Sequence, residues 1–87
     1  MNKMNPQLDF SVNIKKMSNQ TYLVRGQEAW LINEVAEEVC LLLNGKNSTE
    51  DITEKICTSF EKDNKTVQKD INTLLLFFEK EHLIEYS

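Results

Sequence analysis

The chain has little of what catalytic and nucleic-acid-binding proteins display. It has two glycines, Gly26 and Gly45, and no G-x-x-x-x-G-K, G-x-G-x-x-G or G-x-S-x-G run, so a phosphate-cradling loop and a nucleophile elbow are both excluded. Its one histidine, His82, stands among Glu79, Glu81 and Glu85, which reads as a solvated helix end rather than a ligand or general base. Cys40 and Cys57 each fall on the apolar side of an expected helix, where a thiol acts as a small buried hydrophobe in a reducing compartment. Their separation matches no zinc spacing, and no metal or other cofactor is expected. The fourteen carboxylates lie mostly on faces expected to be solvated. Acid-base catalysis needs a group whose pKa is shifted inside a cleft, so no independent enzyme is expected.

Positive charge is also scarce. Ten Lys and Arg oppose fourteen Asp and Glu, giving a net charge of −4 and a pI near 4.9. Such a chain repels a phosphate backbone, and nucleic acid is an unsuitable partner. The imbalance is uneven: residues 1 to 33 carry four cations and two acids, residues 34 to 87 six cations and twelve acids. No run approaches the roughly eighteen apolar residues of a membrane helix, and MNKMNPQLDF lacks the apolar stretch of a signal peptide. The expected location is the cytoplasm, with no membrane partner.

What is present suits one small domain. Eighty-seven residues, 40% of them apolar, can bury a modest core without metal or disulfide. Residues 1 to 7, polar around the single proline Pro6, read as a flexible lead-in to a domain over residues 8 to 87. Leu8, Phe10, Val12 and Ile14 alternate with polar residues, the period of a half-buried strand. Ser18, Asn19 and Gln20 supply a turn, Thr21 to Arg25 a second strand, and Gly26 a further reversal. Glu28 to Ile32 forms a third strand. Its Trp30 and Ile32 point one way, Ala29 and Leu31 the other, so neither face is polar and something apolar is expected on both.

Asn33 caps the first helix, with Glu34 and Glu37 near its positive end and Ala36, Val39, Cys40 and Leu43 on its buried stripe; Asn44 and Gly45 end it. Ser48 with Asp51 starts a second helix whose inner face carries Ile52, Ile56 and Phe60. The third is predicted from about Asp63 or Asn64 to about Glu81, with Val67, Ile71, Leu74, Leu75 and Phe78 as its core stripe. Leu76 and Phe77 fall outside that stripe, and Phe77 shares a separate edge with Thr73 and Asp70. Phe77 either packs on the sheet or the chain terminus, or touches a ligand. Leu83, Ile84 and Tyr86 make a short apolar tail. The predicted fold class is α+β, winged helix-turn-helix-like, with a three-stranded antiparallel sheet followed by three helices.

Several spacings together resemble the PqqD-like family of recognition elements. They are Ile32 and Asn33 ending the third strand, Ala36 three positions on, Gly45 closing the first helix, Thr49, Glu50, Asp51 and Ile52 opening the second, and Asp70, Ile71, Leu74, Leu83 and Ile84 near the end. The similarity runs from about residue 8 to residue 85. It departs at Gly26, Gln27 and Glu28, where members acting in pyrroloquinoline quinone synthesis carry a proline-glutamate-glycine turn. The chain therefore resembles the broader class of recognition elements for ribosomally synthesised and post-translationally modified peptides (RiPPs).

The resemblance implies a non-catalytic adaptor, a peptide chaperone of natural-product biosynthesis. Such an adaptor binds the leader of a precursor peptide antiparallel to the third strand, in a groove walled by the last helix. On this chain Arg25, Glu28, Ala29, Trp30, Leu31 and Ile32 would supply the strand side. Val67, Lys69, Asp70, Ile71, Leu74, Phe77 and Phe78 would line or support the helix side, with Lys69 and Arg25 available to acidic leader residues. A separate tailoring enzyme would receive the cargo, either a radical S-adenosylmethionine enzyme or a lasso-pathway leader peptidase. Monomer or weak homodimer is the expected state. Two rivals fit the same element order: a winged-helix DNA-binding regulator, and a non-catalytic structural subunit dimerised through the third strand.

Overall fold

A computed structural model describes residues 5 to 86. The elements run β1 (Pro6–Leu8), β2 (Asn13–Met17), β3 (Gln20–Arg25), β4 (Glu28–Ile32), α1 (Glu34–Leu42), α2 (Thr49–Phe60), α3 (Asn64–Lys80) and β5 (Ile84–Tyr86). Strands β2, β3 and β4 form an antiparallel sheet in that order, so the expected third strand is β4 and lies at an edge. With three helices behind it, the architecture is the α+β class read from the sequence.

Two turns build this sheet. Ser18 and Asn19 take φ of 52° and 66°, so the β2–β3 turn has positive φ at both central residues. Gly26, at φ 60°, opens the β3–β4 turn. Both are two-residue turns of the primed kinds that match strand twist. Each closes on a directly opposed pair, Met17 with Gln20 and Arg25 with Glu28.

The helix starts follow local chemistry. The Asn33 side chain accepts from the Ala36 N–H at 2.8 Å, Ser48 and Asp51 form a reciprocal capping box, and Asp63 accepts from the Thr66 N–H. Ala36, Val39, Cys40 and Leu43 are buried as expected, and so are Ile52, Ile56, Val67, Ile71, Leu75 and Phe78. Leu74, placed on the core stripe by its spacing, is only half-buried. Leu23 of β3 and Leu83 complete the centre of the core.

The N-terminal region differs from its sequence reading. The strand expected over Leu8 to Ile14 is divided between β1 and β2, because the Asp9 carboxylate accepts from the Ser11 N–H at 3.1 Å and from the Ser11 hydroxyl, folding the chain into a turn. The same bonds, hydroxyl first, lower the Asp9 pKa. Phe10, at the turn, is 90% exposed. Part of the expected flexible lead-in is also structured: Pro6 is buried and its carbonyl accepts from the Gly45 N–H at 3.1 Å, and Gln7 faces Glu85. Residues 1 to 4 lie outside the described residues.

The apolar tail is β5, paired antiparallel with β1. His82 makes this possible by taking φ 58° after α3, and Leu83 donates to Phe78 at 2.8 Å. Among the described residues, no helix is long and apolar enough to cross a membrane.

Candidate functional site

The two edges of the sheet are unequal. β2 carries Lys15 and Lys16, charges that discourage another strand from pairing there, and Lys16 is tied to Glu37 at 3.1 Å. β4 reads Glu-Ala-Trp-Leu-Ile, with no cation on its edge.

Antiparallel pairing decides which groups that edge offers. The two-residue turn makes Arg25 and Glu28 a hydrogen-bonded pair, and bonded pairs alternate along the ladder. Glu28, Trp30 and Ile32 therefore direct their backbone groups to β3. Ala29 and Leu31 direct theirs outward, and no hydrogen bond uses them among the described residues. The side chains alternate as well: Trp30 and Ile32 are half-buried toward the helices, whereas Ala29 is exposed and Leu31 is 61% exposed.

Facing this edge is α3, with a cleft of about 760 Å³ between them. Val67, Ile71 and Leu75 anchor the helix in the core, which leaves Asp70, Thr73 and Phe77 as one outward edge and Leu74 half-buried beside it. Phe77 is 38% exposed, while its neighbour Phe78 is fully buried. Their ring centroids lie 6.0 Å apart with the planes tilted by 53°, so Phe77 rests on the core residue and turns its outer face to the cleft. A second hollow, of about 820 Å³, lies at the β2–β3 turn. Its wall is mixed, with Ser18, Asn19, Gln20, Glu34 and Glu37 beside Met17, Leu31 and Ile32.

Of the expected site residues, Ala29, Trp30, Leu31, Ile32, Lys69, Asp70, Leu74, Phe77 and Phe78 meet in the cleft. Val67 and Ile71 support it from the core. Arg25 and Glu28 lie outside the lining. The Arg25 guanidinium donates to the Glu81 and His82 carbonyls, each at 2.9 Å, and to Glu28 Oε1 at 2.9 Å. It also lies 5.4 Å from the centre of the Trp30 ring, within cation–π range. Arg25 thus joins the β3–β4 turn to the end of α3, and its donors face partners within the chain rather than the cleft.

Asn33, Val35, Ala36, Lys62 and Thr73, which sequence reasoning does not place in the site, also line the cleft. Thr73 had a signal, since it shares the Asp70–Phe77 edge. Lys62 had none. Glu61 adopts a left-handed conformation, φ 52° and ψ 48°, after α2 and carries the chain off any helical period.

The titratable side chains lining the cleft are Lys62, Lys69 and Asp70. Burial, with the Glu37 charge adding to it, pushes the Cys40 thiol up to about 12, which keeps it protonated and inert at neutral pH. No cluster of His, Cys, Asp or Glu suited to a metal occurs among the described residues. A free strand edge beside an apolar wall is instead suited to holding an extended peptide: backbone pairing supplies attachment, and the wall accepts alternate side chains.

Comparison with known proteins gives two findings. A family model described as coenzyme PQQ synthesis protein D (PqqD) matches residues 20–84. Two solved structures share the fold. One is TbiB1 in complex with the TbiA(beta) leader peptide, with a TM-score of 0.76 and 21% identity over 91% of this chain and 94% of that one. The other is the solution structure of the PqqD truncation of Methylobacterium extorquens PqqCD, described as a functional, stand-alone RiPP recognition element, with a TM-score of 0.78 and 20% identity over 92% of this chain and 87% of that one. No curated protein matches the chain in sequence.

Proposed function

The chain belongs to the PqqD family, and from that premise we propose that it is a leader-peptide adaptor. It binds the leader of a ribosomally made precursor as an added strand on β4, against α3, and presents it to a separate modifying enzyme. The observation that carries this reading is the outward, unbonded backbone of Ala29 and Leu31 beside the apolar wall of Leu74 and Phe77. The TbiB1 complex supports it, because a protein of the same fold holds a leader peptide. In this account the chain carries out no catalytic step. Its enzyme is a radical S-adenosylmethionine enzyme or a leader peptidase.

Trp30 is the only tryptophan and lines the cleft, so its emission reports occupancy directly. Titration with the leader of a precursor encoded beside this chain should give a saturable change with a dissociation constant in the micromolar range or tighter. The ordering of a flexible segment sets the limit, at about 2 to 5 kcal/mol of the gross interaction. An unchanged spectrum, with no heat by calorimetry at high micromolar peptide, would reject the proposal.

Phe77 separates a binding wall from a plain core. Phe77→Ala should weaken leader binding by about 1 to 3 kcal/mol, the range of a well-packed interface contact, with little change in a denaturant melt. Unaltered affinity would remove Phe77 from the wall.

A further inference from the structure

The cleft reverses the charge balance of its surroundings. Over residues 34 to 87 acids outnumber cations two to one, twelve against six. In the cleft lining the ratio is the other way, Lys62 and Lys69 against Asp70 alone. Both lysines are exposed, and neither makes an ion pair among the described residues.

The cations also lie at one end. Lys62 follows α2 and Lys69 is in the second turn of α3, so both belong to the end where α3 begins; Asp70, next to Lys69, lies there too and leaves that end with one net positive charge in the lining. The opposite end, where α3 finishes, is marked by Arg25 on the Glu81 and His82 carbonyls. That guanidinium is already committed to two carbonyls, the Glu28 carboxylate and the Trp30 ring. An anionic group on a ligand therefore finds ammonium donors at the α3 N-terminal end and a neutralised, occupied cation at the other.

Resting on the peptide-binding reading above, we propose that Lys62 and Lys69 form a carboxylate-reading subsite. The bound segment carries an Asp or Glu at the α3 N-terminal end of the cleft and apolar residues along Trp30, Leu74 and Phe77. Arg25 is a positioning residue that ties the strand wall to the helix wall and does not read the ligand. On a chain of net charge −4, an acidic peptide is repelled by most of the helical surface and attracted at this one end, which gives register as well as affinity.

The test is a selection of short random linear peptides displayed against the whole chain, followed by titration of individual peptides through Trp30 emission. The enriched peptides should share an Asp or Glu at a fixed spacing from an apolar residue. Replacing that acid with Asn or Gln should weaken binding about tenfold, the size of a charge-assisted hydrogen bond. In a Lys62→Gln, Lys69→Gln double variant the same replacement should have no effect, whereas in Arg25→Ala it should keep its full effect even if overall affinity falls. Enriched peptides without an acid, or an acid whose effect survives in the lysine variant or vanishes in the arginine variant, would overturn the subsite and leave peptide binding standing. A selection that enriches nothing would instead sink the peptide-binding reading and the subsite with it.

Discussion

Leu31→Pro should abolish leader binding while the domain stays folded. The Leu31 N–H points away from β3, so its loss costs the free protein no ladder bond. Proline is tolerated on such an edge. In the complex that N–H faces the added strand, and removing it strands a peptide carbonyl at a cost of about 1 to 3 kcal/mol. The proline ring also stands where the new strand must approach to about 4.8 Å, which adds a steric barrier to the lost bond. Ile32→Pro makes the contrast: its N–H serves the pairing with Thr21, so this variant should lose stability. Circular dichroism, thermal melts and a Trp30 titration on both variants read the difference. A folded Leu31→Pro protein with normal affinity places the peptide elsewhere.

Phe78→Ala should cost about 3 to 5 kcal/mol of folding stability, the range for emptying a buried aromatic site. Phe78 is fully buried, contacts the core behind the cleft and carries Phe77 on its ring. Guanidinium melts would show the midpoint falling steeply, with far less change in Phe77→Ala. A loss under about 1 kcal/mol in Phe78→Ala would mean that the α3 core is not packed as described.

The helices were legible because their signals are local. Asn33, Ser48 with Asp51, and the region of Asp63 and Asn64 marked the starts, and the burial of Val39, Cys40, Ile52, Ile56, Val67, Ile71 and Phe78 followed from helical spacing. The cleft was partly legible for the same reason: Phe77 lies off its core stripe, and β4 is apolar on both sides.

The β1–β5 ribbon was not legible. Each strand has three residues, too few for a period, and the pairing joins the two ends of the chain. The alternation from Leu8 to Ile14 fits one strand as well as two. The Asp9 side-chain bonds to Ser11 and the Val12 N–H bond to the Asp9 carbonyl at 2.9 Å divide it, and that local competition does not alter the hydrophobic pattern. The site residues that sequence misplaced depend on distant partners or unusual backbone. Arg25 meets carbonyls at Glu81 and His82, and Lys62 reaches the cleft through the left-handed Glu61.

If a peptide completes the edge of β4, amide hydrogen exchange reports it residue by residue. In the free protein Trp30 and Ile32 should be the protected amides of β4, held by β3, while Ala29 and Leu31 exchange freely. With saturating leader peptide, Ala29 and Leu31 should become protected. Exchange at these two amides that stays fast, in a sample whose Trp30 emission shows the cleft to be occupied, would contradict strand addition.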